Sequence, residues 1–141
     1  METADVRKRI KDTIERARRQ SAERRTHSSE ASAAFEVFLQ SRAVPVFQQV
    51  ANVLRVEGYP FVVHTPAGSV RLASEKSAHD FIDMRLDTTG RPQVVLRVER
   101  VKGRETTSEE RPLKPGTTVQ HLTDEDVLDA ISEALMALVD R

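Results

Sequence analysis

The chain has 141 residues, of which 38% are apolar and 31% are charged, and it contains no cysteine. This length suits one hydrophobic core and is too short for two independent cores. The absence of cysteine excludes a disulfide framework, a thiolate nucleophile and a thiolate metal site.

The zero net charge is a cancellation between the two ends of the chain. Residues 1–26 carry nine basic and five acidic side chains, a net charge of +4, which leaves −4 for residues 27–141. No apolar run approaches the roughly 20 residues of a membrane helix, and the beginning of the chain lacks the apolar segment of a signal peptide. We therefore expect a cytoplasmic protein without membrane contact, whose basic and acidic ends attract each other within a chain or between two chains.

The pattern predicts a charged helical arm at residues 1–27, followed by a single α+β domain at residues 28–141. The arm carries only a narrow apolar stripe, formed by Val6, Ile10, Ile14 and Ala17. A helix that buries so little apolar surface must pack against the domain, pair with another chain or bind a polyanion.

The domain is expected to begin with a long core helix at about residues 30–57, with Ser28 or Ser29 as its cap. Pro45 lies in the middle of this segment and predicts a kink or a division into two helices, and Gly58 predicts its end. Its helically spaced apolar residues are the expected core: Ala31, Ala34, Phe35, Phe38, Leu39, Ala43, Val46, Val50, Val53 and Leu54.

After Tyr59 the apolar period changes to two, which predicts two β-hairpins with strands near 61–65, 69–74, 80–87 and 93–101. In the second hairpin, one face is expected to be apolar and to bring together Ile82, Met84 and Leu86 with Val94, Leu96 and Val98. The other face is expected to be solvated and to carry Asp83, Arg85, Arg97 and Glu99.

Residues 102–116 are almost devoid of apolar side chains and predict a solvated loop or the tip of a long hairpin. Residues 117–122 suggest a further short strand. Thr123 then caps an acidic amphipathic helix with an apolar stripe of Val127, Leu128, Ile131, Leu135 and Leu138. The expected fold is an antiparallel meander of four or five strands with both apolar helices on one face.

Two hypotheses follow from the arm. In the first, the protein is a homodimeric interaction module: Ile10, Ile14 and Ala17 pack against a second copy or against the acidic C-terminal helix of a partner chain, and an exposed strand edge or sheet face also contacts a second copy or a partner protein. The plain alternative to this hypothesis is that the arm is a frayed tail. The alternative is weak, salt-sensitive binding of nucleic acid by Arg7, Lys11, Arg18 and Arg25, which share one flank of the helix. The plain alternative is that the charges of the arm only stabilise an exposed helix through ion pairs. The sequence contains five opposite-charge pairs at i,i+4 spacing: Asp5–Arg9, Lys8–Asp12, Lys11–Glu15, Asp12–Arg16 and Glu15–Arg19.

The sequence names no catalytic residue, cofactor or metal ligand, and we lean against an enzyme. His27, His64, His79 and His121 have no partners at a metal-binding spacing, and Ser77, His79 and Asp80 are mere neighbours in sequence rather than a triad. Arg71, Arg85 and Arg97 could gather an anionic ligand on the solvated face, but Asp83 and Glu99 are available to neutralise them. Binding of a small ligand between the helices and the sheet is a third hypothesis.

Overall fold

The computed structural model describes residues 1–139, and its first 56 residues are almost entirely helical. Helix α1 spans Thr3–Phe38, a π-helical turn spans Leu39–Ala43 and helix α2 spans Val44–Val56. The helix predicted to start at Ser28 or Ser29 does not start there, since α1 passes through both residues without interruption. Nothing in this stretch breaks a helix, so a good capping residue alone does not create a helix end.

Pro45 is accommodated by the π-helical turn that precedes it. Proline has no N–H, and its ring would collide with the carbonyl four residues earlier, at Ser41. A π-turn inserts one extra residue and so relieves this conflict without ending the helix. The hydroxyl of Ser41 also donates a hydrogen bond to the carbonyl of Val37, with a distance of 2.6 Å.

The sheet is a five-stranded antiparallel meander in the order β1-β2-β3-β4-β5. Its strands are β1 (Phe61–His64), β2 (Ser69–Ser74), β3 (Phe81–Asp87), β4 (Gln93–Lys102) and β5 (Glu105–Pro112). The register places Ile82 opposite Val98 and Met84 opposite Leu96, which confirms the predicted apolar face of the second hairpin.

The charged segment after β4 is a strand, and residues 117–122 are not. Residues 105–112 form β5 and pair with β4 along their whole length, so the hairpin alternative for this segment is right and the loop is wrong. Val119–His121 form a single 3₁₀ turn instead of the expected strand. This turn brings Val119 and Leu122 to the same side, and both are buried.

Helix α3 spans Asp124–Val139 and begins with a reciprocal cap. The backbone N–H of Asp126 donates to the Thr123 hydroxyl, and the N–H of Thr123 donates to the Asp126 carboxylate, at 3.2 and 3.0 Å. Burial opposes ionisation of Asp126, but the hydrogen bonds from Thr123 and the charge of Lys114 outweigh it, so the pKa of Asp126 is below its ordinary value.

The core lies between the sheet and the two helices on one of its faces. Helix α2 contributes Phe47 and α3 contributes Ile131, and both pack with Leu72, Ile82 and Leu96 of the sheet. Within residues 1–139, no helix combines the length and the apolar character needed to cross a bilayer.

Candidate interaction surface

The arm projects from the domain as the first part of α1 and has almost no packing of its own. Every residue from Met1 to His27 is exposed except Ser21, which is half-buried, whereas Phe35 and Phe38 near the other end of α1 are buried. The stripe side chains Val6, Ile10 and Ile14 have 43%, 56% and 46% of their surface exposed. The domain therefore does not cover the apolar face of the arm.

The apolar stripe of the arm points to the same side of the helix as the core residues. Ile10 and Phe35 are about 25 residues apart, which is about seven turns at 3.6 residues per turn. Ile14 and Leu39 are related in the same way. A partner bound to the stripe would therefore lie on the side of α1 on which the domain lies.

The basic flank of the arm is free of ion pairs in the described part of the chain. None of the five predicted i,i+4 pairs is formed, and every ion pair found involves residues from Arg42 onward. Arg7, Lys11 and Arg18 border a shallow depression together with Ile10 and Ile14. The structure thus places the predicted cations beside the predicted apolar stripe, with both sets exposed.

The row of cations continues toward a cleft between α1 and one end of the domain. The cleft has a volume of about 760 Å³. Helix α1 contributes Arg24, Arg25 and His27, the β3–β4 turn contributes Arg91, and Glu30 supplies a carboxylate. Of these arginines the sequence predicts only Arg25 as a contact. Arg24 lies on the side of the helix that carries the apolar stripe, and only the fold brings Arg91 close to the helix.

A second surface feature is an open groove of about 600 Å³ between α2 and α3. Its apolar lining is shared by the two helices and consists of Val46, Val50, Val53, Leu54, Leu128 and Leu135. Asp124 and Glu125, in the first turn of α3, lie at its edge. We call this feature the α2/α3 groove.

The groove contains residues that the sequence assigned to the core. Val53 and Leu128 are 61% and 46% exposed, so their predicted burial is wrong. Helix α2 carries two parallel apolar stripes: Phe47, Ala51 and Leu54 are buried, whereas the stripe of Val46, Val50 and Val53 is only partly covered. This second stripe is the signal in the sequence that could have revealed the groove.

The solvated face of the sheet neutralises its own charges. Arg71 and Arg97 both contact the carboxylate of Asp83, at 3.1 and 3.8 Å, and their guanidinium groups lie 3.9 and 5.1 Å from the centre of the Phe81 ring. Asp83 is only 7% exposed. The predicted pairing of Asp83 with its neighbours is therefore present, and these arginines are engaged within the sheet.

The histidines and acidic residues do not assemble into a site. Asp80 is buried and one of its oxygens accepts the backbone N–H of Val101, while Nδ1 of His121 lies 2.6 Å from the Thr118 hydroxyl. Within the described residues, no group of three His, Asp or Glu side chains is placed to share a metal ion.

Comparison of the chain with protein-family models, with curated proteins and with solved structures finds no match. The surfaces of the molecule are therefore the basis for assigning it a function.

Proposed function

We propose that this protein is a small, cytoplasmic, non-enzymatic interaction module that forms homodimers through its N-terminal arm, residues 1–27. The contact residues are Ile10, Ile14 and Ala17. Each copy would offer the same arm, so the contact can be made twice in a symmetric pair.

One observation supports this proposal above the others: an apolar stripe is exposed on a projecting helix that the domain does not cover. Val6, Ile10 and Ile14 are each more than two-fifths exposed. Isolated helices are marginally stable in water and gain most of their stability from packing of an apolar face. Burial of these side chains would stabilise both the helix and the dimer, by about 25 cal/mol for each Å² of apolar surface removed from water.

The test is sedimentation velocity of the full chain and of a double variant, Ile10→Glu with Ile14→Glu. The matched control is Ala22→Glu with Thr26→Glu, which places the same two charges at the same spacing, about 120° around the helix from Ile10 and Ile14. We expect a dimer for the intact chain and the control, and a monomer for the stripe variant. A monomeric intact chain, or a stripe variant that remains dimeric, would refute the proposal.

A second candidate function is salt-sensitive binding of nucleic acid through Arg7, Lys11, Arg18 and Arg25. The supporting observation is that these cations have no ion-pair partner in the described chain and lead toward the cleft that holds Arg24 and Arg91. Phosphate contacts give affinity that falls steeply with salt, without reading sequence.

Fluorescence anisotropy with labelled duplex and single-stranded oligonucleotides, between about 50 and 200 mM salt, tests this candidate. Each of the four cations changed to Ala should lower the slope of log affinity against log salt by about one. Absence of binding at the lowest salt would eliminate this function and leave the arm as a protein contact.

A further inference from the structure

We infer that the α2/α3 groove is the docking site for the arm of a second copy of this chain, so that two copies exchange their arms. This inference rests on the proposed function, because it names the surface that receives the arm.

The arm cannot reach the groove of its own chain. Helical structure is continuous from Thr3 to Val56, and Val46 lies about 32 residues beyond Ile14. At 1.5 Å per residue, the two are about 48 Å apart along the helical axis, and a continuous helix cannot fold back on itself. An arm that fills the groove must therefore come from another molecule.

The apolar surfaces of arm and groove match in kind and are comparable in length. The stripe from Val6 to Ala17 extends over about 17 Å, and the apolar lining of the groove extends over about 12 Å along α2, from Val46 to Leu54. An amphipathic helix that lays its apolar face into a groove between two helices is a recurrent mode of recognition. Docking would cover Val53 and Leu128, which the domain itself leaves exposed.

The charges beside these surfaces are opposite. The arm carries a net charge of +4, whereas residues 123–139 contain five acidic side chains and no basic one. Arg7, Lys11 and Arg18 flank the stripe with only one carboxylate, Glu15, among them, and Asp124 and Glu125 lie at the edge of the groove. Asp124 already contacts Arg42 at 3.2 Å, but both side chains are more than half exposed, and such a pair contributes little and can exchange partners.

Exchange of arms also closes the assembly. Each chain has one arm and one groove, so a twofold pair uses both arms and both grooves and leaves none free. This arrangement differs from two arms that pair only with each other, because it predicts that changes on α3 affect the dimer as strongly as changes on the arm.

The experiment uses two charge-reversed forms of the full chain. The arm variant carries Arg7→Glu and Lys11→Glu, and the groove variant carries Asp124→Lys and Glu125→Lys. The control is Asp129→Lys with Glu133→Lys, an equal change of charge on exposed positions of α3 outside the groove. Circular dichroism checks that each variant keeps its helices, and sedimentation velocity at about 50 mM salt, where screening is weak, measures the dimer.

We expect the arm variant and the groove variant each to raise the dimer dissociation constant about tenfold or more, and the control to leave it within about twofold. An equimolar mixture of the two variants should restore dimerisation to within about threefold of the intact chain. In the mixed dimer the reversed arm meets the reversed groove, and the native arm meets the native groove. Recovery in the mixture cannot arise from misfolding of either variant.

Two outcomes separate failure of this inference from failure of the proposed function. If the stripe variant Ile10→Glu with Ile14→Glu is monomeric but the groove variant remains a normal dimer, the arm mediates association elsewhere and the groove assignment is overturned. If the intact chain is a monomer at all concentrations, both proposals are refuted.

Discussion

Arg85 on β3 and Glu110 on β5 form an ion pair in which one guanidinium nitrogen contacts both carboxylate oxygens, although β4 separates the two strands. Nη2 of Arg85 on β3 lies 2.9 and 2.8 Å from the two carboxylate oxygens of Glu110 on β5, and β4 runs between them. Val95 of β4 is opposite Arg85 in register and is only 3% exposed, although it lies on the solvated face. The pair ties the charged outermost strand to the interior of the sheet.

Removal of this pair is expected to loosen β5 with a small cost in stability. Glu110→Ala should lower the free energy of unfolding by about 0.5–1 kcal/mol, the upper part of the range for exposed pairs, because both carboxylate oxygens are in contact with the guanidinium group and both side chains are partly covered. Glu109→Ala is the control on the same strand, since Glu109 is more exposed and its contact with Arg111 is longer, at 3.6 Å. Urea denaturation of both variants measures the difference, and equal values would contradict the special role of Glu110.

Asp83 is expected to contribute more to stability than the other carboxylates of the solvated face, because it contacts both Arg71 and Arg97. Asp83→Asn keeps the shape but removes the charge that faces Arg71 and Arg97, and it should destabilise the fold by about 1–3 kcal/mol, since breaking a pair with a buried member leaves uncompensated charge. Glu99→Gln removes a carboxylate from the same face and should cost less than about 0.5 kcal/mol. Thermal unfolding at neutral pH compares the two, and a Glu99 effect as large as that of Asp83 would refute this reading.

The cap of α3 predicts a dependence of stability on pH. A carboxylate whose pKa is lowered by folding contributes stability above its unfolded pKa of about 3.9, and this contribution is lost as the pH falls through the lower, folded value. The advantage of the intact chain over Asp126→Asn in free energy of unfolding should therefore be constant above about pH 5 and shrink below about pH 4. Urea denaturation across this range measures it, and an advantage independent of pH would show that the charge of Asp126 is unimportant.

The hydroxyl of Thr123 is the other half of this cap. Thr123→Ala should lower the free energy of unfolding by about 1 kcal/mol at neutral pH.

Gly58 is expected to be necessary for the end of α2, in contrast to Gly90. Gly58 has a φ of +92°, and the following N–H of Tyr59 donates to the carbonyl of Leu54 at 2.7 Å, which closes the helix. A Cβ at either glycine would meet no atom within 4 Å, so the backbone alone determines the cost. Gly58→Ala should cost about 1 kcal/mol, whereas Gly90→Ala should be neutral or stabilising by about 0.4–1 kcal/mol. Thermal unfolding distinguishes the two, and a neutral Gly58→Ala would contradict the prediction.

The elements that could be predicted from the sequence are those with a regular apolar period. Alternation predicts that Ile82 and Val98 share the apolar face, and the Thr123 cap with the stripe behind it marks α3. Strand β5 is predicted only as one of two alternatives, the tip of a long hairpin, because Glu105–Glu110 are exposed on both faces and have no apolar period. The pairing of its backbone with β4 holds the strand in place. For the same reason Glu99, rather than Glu110, was expected to neutralise the arginines of the solvated face.

The arm residues could be predicted as a surface because their pattern is local to one helix. The groove could not, since its walls come from segments about 70 residues apart, and a stripe in the sequence does not reveal which of its members a neighbour covers. Val53 and Leu128 show this limit, since each belongs to a regular apolar pattern. Only one apolar stripe of each helix packs on the sheet, and these two residues lie on the other stripe, outside the core.

The π-helical turn at Leu39–Ala43 sets the rotational phase of the whole arm. One extra residue in a helix turns everything before it by about 100° around the axis relative to everything after it. Deletion of the exposed Gln40 would remove the extra residue and rotate Ile10 and Ile14 by about that angle relative to Phe47, while leaving the side chains of the arm unchanged. A single inserted residue thus determines the direction in which α1, a helix about 50 Å long, presents its apolar stripe relative to the domain.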